Sequence, residues 1–195
     1  VQRSHDQYED AALIRAAMTG DRGAYGALVD RHLPGVYAVV LRIVCNRTDA
    51  EDLAQDTFIR ALERLGQYGM DHPFRNWLLK IATNLAINHL QARRRERLRY
   101  PRIAETRPET TGTPDDGPDL PSPREWQHWL AQLDEAPRAA IVLFHFHEMS
   151  YLEVAEVLNV PLNTVRTYLH RGRRRLRELM TAGRLPETGS CTVAM

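Results

Sequence analysis

The sequence predicts an all-α chain, built as two small helical domains on either side of a flexible linker. Three observations predict it. Apolar residues recur at spacings of three, four and seven, and strand signals are nearly absent. Residues resembling helix caps and helix stops punctuate those stretches. Between residues 100 and 123 the composition changes to Pro101, Pro108, Pro114, Pro118, Pro121 and Pro123, with glycines and several acids. That segment has no apolar periodicity and too little apolar surface to fold alone. The expected division is therefore a first domain over 1–99, a linker over 100–123, a second domain over 124–182 and a tail over 183–195.

The elements follow in order. A first helix is expected from Tyr8 to Met18, and a second from Arg22 to His32. A third follows Pro34 and carries Val36, Tyr37, Val39, Val40, Leu41, Ile43 and Val44. Asp49 is expected to cap a fourth, with Leu53, Phe58, Ala61, Leu62 and Leu65 as its apolar stripe. Residues 67–73 read as a loop, and a long helix runs from Phe74 to about Arg95. Phe74, Trp77, Leu78, Ile81, Ala82 and Leu85 form its core face, and Asn76, Lys80, Thr83, Asn84, Asn88 and Gln91 the opposite one. Beyond the linker, Trp126, Trp129, Leu130 and Leu133 mark one helix, and Ile141 to Phe146 the next.

The segment from Ser150 to Arg177 is the most specific. Leu152, Val154, Ala155, Val157 and Leu158 have helical spacing, and Asn159 suits the left-handed conformation of a helix end. Pro161 prevents continuation, and Asn163 is expected to cap a second helix. That helix carries Arg166, Arg171, Arg173, Arg174, Arg175 and Arg177, with Val165, Leu169 and Leu176 to pack it down. This is the pattern of a helix-turn-helix whose second helix enters the DNA major groove.

Charge supports nucleic acid as a partner through its distribution, not its sum. The formal net charge is only +1, yet basic runs occupy 93–102 and 166–177, and acids gather at 49–56 and 105–125. Lys80 is the only lysine; arginine suits phosphate and guanine contacts. The amides of the Phe74 helix, beside a basic run and a loop, suit single-stranded DNA. Two cysteines make no disulfide framework, and no apolar run approaches the ~20 residues that span a bilayer. A cytoplasmic protein is expected. No nucleophile–base pair, phosphate loop or paired-carboxylate motif appears, so neither catalysis nor a cofactor is expected. His145 and His147 stand two apart, which puts them on different sides of a helix and argues against a metal site. Leu185-Pro186-Glu187-Thr188-Gly189 matches a sortase signal but lacks the hydrophobic and basic segments that anchoring needs, and it reads as tail.

Asp49-Ala50-Glu51-Asp52-Leu53-Ala54-Gln55-Asp56-Thr57-Phe58, Phe74-Arg75-Asn76-Trp77-Leu78 and Ile81-Ala82-Thr83-Asn84-Leu85-Ala86-Ile87-Asn88 resemble the second conserved region of sigma factors. Ser150 to Arg177 resembles the fourth region, and the arrangement is that of the extracytoplasmic-function (ECF) group. The resemblance implies binding to core RNA polymerase through Asp49, Glu51, Asp52, Gln55 and Asp56. It implies melted −10 DNA held by Arg75, Asn76, Lys80, Thr83, Asn84 and Asn88, with a flipped base near loop 67–73. It implies duplex −35 DNA read by Arg166, Thr167, His170, Arg171 and Arg174. It also implies an anti-sigma factor, commonly membrane-anchored, as inhibitory partner. Glu148 stands where family members commonly have glycine, and Tyr168 where a basic residue is frequent. The competing reading is an autonomous helix-turn-helix regulator of duplex DNA, which leaves the amide-rich helix and the acidic 49–56 face unexplained.

Overall fold

The computed structural model describes residues 2–99 and 122–183. The linker from 100 to 121 and the tail from 184 onward, including the sortase-like string, lie outside the described residues. Among those described there are helices and no strands. In the first unit α1 spans Gln2–Met18, α2 Arg22–Val44, α3 Arg47–Glu63 and α4 Phe74–Arg99, with a short 3-10 turn at Leu65–Gln67. In the second, α5 spans Pro123–Ala131, α6 Glu135–Ile141, α7 Tyr151–Leu158 and α8 Leu162–Gly183. A π-helical turn at Val142–Phe146 extends α6.

The expected break at Pro34 does not occur: α2 runs through it. An internal proline costs ~3 kcal/mol. Leu28, Val39, Val40 and Ile43 are fully buried on either side, and each contributes ~1.5–3 kcal/mol. Burial along one continuous face outweighs the lost hydrogen bond. Asp21 caps the start, accepting from the amides of Gly23 and Ala24. Cys45 ends the helix at φ 54, with its amide donating to Leu41.

The cap of α3 is Asn46, not Asp49; its side chain accepts from the Asp49 amide at 2.9 Å. Asp49 is therefore inside the first turn and free to turn toward α4. Leu62 is not part of the buried stripe. It is 52% exposed, while Leu53, Ala54, Phe58 and Ala61 form the inner face. The long helix continues to Arg99, one turn beyond expectation. Its start is fixed by an aromatic cluster in which Phe74 lies 5.5 Å from His32, 5.3 Å from Tyr68 and 5.5 Å from Trp77.

Ser122 caps α5 in a reciprocal capping box with Glu125, and Pro123 takes the first helical position. Ser150 and Glu153 form the same box at α7. Asn159 has φ 52, the left-handed end that the sequence predicts. Asn163 is not a cap: α8 already begins at Leu162, and the Asn163 carbonyl accepts from the Thr167 hydroxyl at 3.0 Å. Leu152, expected inside, is 64% exposed, while Val154 and Val157 are buried. Glu148 holds φ 53 just before α7, a conformation that costs a non-glycine residue ~1–2 kcal/mol. Such a backbone accounts for glycine being common there in the family.

Val165, Leu169 and Leu176 are buried as their spacing predicts; α8 lies not only on α7, the expected partner, but also on α6, which it meets at Gly172. A Cβ at Gly172 would stand 2.7 Å from Ile141 Cγ1, and Ile141 is itself fully buried. Gly172→Ala is expected to destabilise the second unit by ~1–3 kcal/mol, despite alanine's better helix propensity. A urea melt checks this; an unchanged midpoint would show that α8 shifts without cost.

Candidate nucleic-acid and polymerase interfaces

Helix α8 sorts its residues cleanly. Val165, Leu169, Gly172 and Leu176 face inward, and Arg166, Thr167, His170, Arg171 and Arg174 are all exposed. Arg166 Nη1 donates to Asn163 Oδ1 at 3.2 Å, and Arg174 is paired with Glu178 at 3.1 Å. Arg173 has a different task. Its Nε lies 3.2 Å from His145 Nε2 and its guanidinium 5.2 Å from the Phe144 ring centroid, tying α8 to the π turn. Tyr168, where a basic residue is frequent in the family, is half-buried against the core.

The residues expected at melted DNA separate into two places. Lys80, Asn84 and Asn88 line an open groove of about 410 Å³ between α3 and α4. Arg60, Arg64, Gln67 and Trp77 complete it. The groove thus joins cations for phosphates, amides for base edges and an indole for stacking. Sequence reasoning missed Arg60 and Arg64; their spacing of four on the outer face of α3 was the available signal. Arg75 and Asn76 are elsewhere, half-buried against the second unit. Arg75 Nη2 lies 3.0 Å from His147 Nδ1, and Asn76 Nδ2 donates to Glu153 Oε1 at 3.0 Å. Thr83 needs correction: it is fully buried, on the closed side of α4, with its hydroxyl lacking a hydrogen-bond partner. The loop after the 3-10 turn is held by Tyr68, whose hydroxyl donates to the His72 carbonyl.

The acidic residues of α3 also divide. Asp49 turns inward to Arg93 and lies 3.3 Å from His89. Glu51 pairs with Arg47 at 2.9 Å. Asp52, Gln55 and Asp56 are exposed, and two apolar residues continue their stripe, Ile59 at 57% and Leu62 at 52% exposure. Spacings of three and four place all five on one helix face. The two form an exposed apolar pair rimmed by acids.

The two units touch. Arg138, 7% exposed, sends Nη1 to the Ile43 carbonyl of α2 at 2.6 Å and Nη2 to the carbonyls of Ala131 and Leu133 at 2.9 and 2.7 Å. Arg42 of α2 lies over Phe146 at 4.8 Å. Burial pushes the His147 imidazole down to about 4, with Arg75 and Arg42 adding to the shift. The neutral ring is thus the folded form. Stability from His147 is fully present above the ordinary value near 6.5 and is lost as pH falls from there through about 4. Because the ring is partly solvated, the loss is on the order of 1 kcal/mol. Melting temperatures at pH 7 and pH 4.5 are expected to differ less in His147→Gln than in the parent; an equal drop would show that other groups carry the acid sensitivity.

His145 and His147 thus serve different partners, and among the described residues no cluster of histidine, cysteine or carboxylate side chains could hold a metal ion. An exposed basic helix after a tight turn, a second basic groove lined by amides and an acid-rimmed apolar helix face define an all-helical protein with two basic surfaces and one acidic one. Comparison with known proteins gives its class. Residues 28–96 match the family description "Sigma-70 region 2", and residues 124–176 match "Sigma-70, region 4". The chain is 32% identical to the ECF RNA polymerase sigma factor SigW of Bacillus subtilis over 85% of this chain and 93% of that one. It is 35% identical to the ECF sigma factor SigE of Mycolicibacterium smegmatis over 83% of this chain, spanning 65% of that relative's length. The structure of CnrH in complex with the cytosolic domain of CnrY superposes with a TM-score of 0.66 at 29% identity, covering 90% of this chain and 99% of that one. This chain belongs to the sigma-70 family and is an ECF-type alternative sigma factor.

Proposed function

We propose that the three surfaces divide the work of initiation. The α3 stripe of Asp52, Gln55, Asp56, Ile59 and Leu62 docks on core RNA polymerase. The groove of Arg60, Arg64, Trp77, Lys80, Asn84 and Asn88 holds the melted −10 strand, and α8 reads the duplex −35 element. Binding energy from unstacked bases in the groove offsets the few kcal/mol of unpairing, and the polymerase performs all bond formation. The observation that carries this reading is the sorting of α8, whose five candidate contacts are all exposed while its apolar residues seat it firmly. An anti-sigma partner belongs to the reading, because the family resemblance implies one. If that partner is membrane-anchored, it holds the chain at the inner membrane face. No described helix is itself long and apolar enough to cross a membrane.

The test is run-off transcription with the cognate core enzyme, in which the purified chain is expected to confer initiation. Tight duplex binding without polymerase, and no initiation with it, would favour the autonomous regulator. Arg171→Ala is expected to weaken −35 binding by ~1–3 kcal/mol and to relax preference at one base pair. An equal loss on all sequences would place Arg171 on phosphate alone.

A further inference from the structure

Helix α1 does not line the groove between α3 and α4, yet a run of contacts leads from it to the aromatic residue that does. Asp10 of α1 is a buried carboxylate, 5% exposed. Its Oδ1 accepts from Arg31 Nη1 at 3.1 Å, and its Oδ2 lies 2.9 Å from His32 Nε2. An ionised carboxylate only accepts, so Nε2 of His32 is the donor and the ring is held in one orientation. Glu9 holds Arg31 from the other side at 2.6 Å. The His32 ring then meets Phe74, the first residue of α4, in a T-shaped contact with centroids 5.5 Å apart.

From Phe74 the contacts reach the groove. Phe74, Tyr68 and Trp77 form a closed triangle of rings, with centroids 5.3, 5.2 and 5.5 Å apart, and Trp77 is the indole in the groove wall. Asp10 also acts on Tyr68 directly: burial pushes the Tyr68 phenol up, and the carboxylates of Asp10 and Asp71 add to the shift. The Tyr68 hydroxyl closes the adjoining loop through the His72 carbonyl. Helix α1 touches that loop once more, where Arg15 Nη1 lies 3.9 Å from Met70 Sδ. A buried ion pair is a poor source of net stability, because desolvation of both charges opposes their attraction. A fully satisfied polar network instead makes its surroundings rigid, and the surroundings here are the ring triangle.

We propose that Asp10 is a positioning residue for promoter melting: through His32 and Phe74 it fixes the Trp77 indole and the neighbouring loop in the geometry that stacks an unpaired base. The proposal rests on the groove between α3 and α4 being the melted-strand site. An indole already in place loses little rotamer freedom when a base arrives. A base stacked on an aromatic ring is worth ~5-fold to ~100-fold in binding, and an indole free to turn forfeits the lower part of that range.

The test uses holoenzyme assembled with Asp10→Asn, which keeps the side chain's shape and removes its charge, beside Trp77→Ala. Affinity is measured for a labelled single strand carrying the −10 element of the promoter used for run-off, and for closed-complex formation on the intact duplex. Asp10→Asn is expected to weaken strand binding ~5–10-fold and to leave closed-complex affinity unchanged. In the free full chain labelled with fluorotryptophan, the Trp77 resonance, assigned by its loss in Trp77→Phe, is expected to broaden or split in Asp10→Asn. His32→Gln removes the ring, and adding Asp10→Asn to it is expected to bring no further loss of strand affinity. A further loss of the same size would route Asp10 through another contact and overturn the proposal, as would an unchanged Trp77 resonance. Strand and closed-complex affinity falling together, with a lowered melting temperature, would make Asp10 a residue of stability alone. Strand affinity lost in Trp77→Ala but kept in Asp10→Asn overturns the positioning role and leaves the groove as the strand site. No effect of Trp77→Ala removes the groove as that site, and the positioning role falls with it.

Discussion

Reversing Asp52 and Asp56 together to arginine is expected to weaken assembly with core RNA polymerase by more than ~100-fold, with run-off transcription lost in proportion. Truncating one partner of a desolvated interfacial charge pair costs ~2–5 kcal/mol, and reversal adds repulsion. Both carboxylates are exposed, so the fold loses little and the melting temperature should hold. Leu62 supplies the independent check. At 52% exposure it has no folded role that explains an apolar side chain on this face, and Leu62→Ala should weaken assembly by ~1–2 kcal/mol if it enters a pocket on the partner. Glu51→Arg is the contrast: Glu51 already pairs with Arg47 within the helix, and a surface pair of this kind is worth well under 1 kcal/mol. Asp49→Arg should behave differently again, because it sets a cation against Arg93 and His89; its loss of activity should track a loss of stability. Co-elution with core enzyme beside thermal melts separates these cases. Full assembly by the Asp52/Asp56 double variant would move the polymerase surface off α3.

The second large effect is expected at Arg138. Its guanidinium satisfies three carbonyls, from Ala131, Leu133 and Ile43, and it is almost wholly buried. Arg138→Ala leaves those acceptors unpaired and opens a void, at a cost of ~3–5 kcal/mol. That is a large part of the stability of a domain this size. Because two of the three carbonyls belong to the second unit itself, the variant should lower its unfolding midpoint and not merely part the two units. Arg138→Lys should recover only part of the loss, since an ammonium cannot reproduce the planar fork. A denaturant midpoint unchanged in Arg138→Ala would mean that water replaces the guanidinium at all three carbonyls.

Much of the fold was legible from local chemistry. Asn159 was readable as a left-handed helix end because few other residues tolerate that backbone, and the arginines of α8 were readable as exposed because nothing buries six guanidinium groups on one helix. Capping was less legible. Asn46 and Asp49 are both good caps three residues apart, and only the path of the chain out of Cys45 decides between them. Pro34 was misread because the rule for proline describes an isolated helix, whereas α2 is held along its length by the core. Thr83 was placed on the open face by periodicity alone. That helix has neighbours on more than one side, so the face opposite the first core is not solvent.

The sequence by itself determined the all-α class, the two units and the family, because helical periodicity, caps and motif spacing are written over short stretches of chain. It also determined the outward face of α8, where charge and apolar spacing leave one arrangement. Tertiary structure decided the rest. It turned Asp49 inward, exposed Ile59 and Leu62, brought Arg60 and Arg64 to the amides of α4, and set Glu153 and His147 against Asn76 and Arg75. Each of these depends on which helix lies beside which, across separations of up to 77 residues, and periodicity within one helix carries no information about its neighbours.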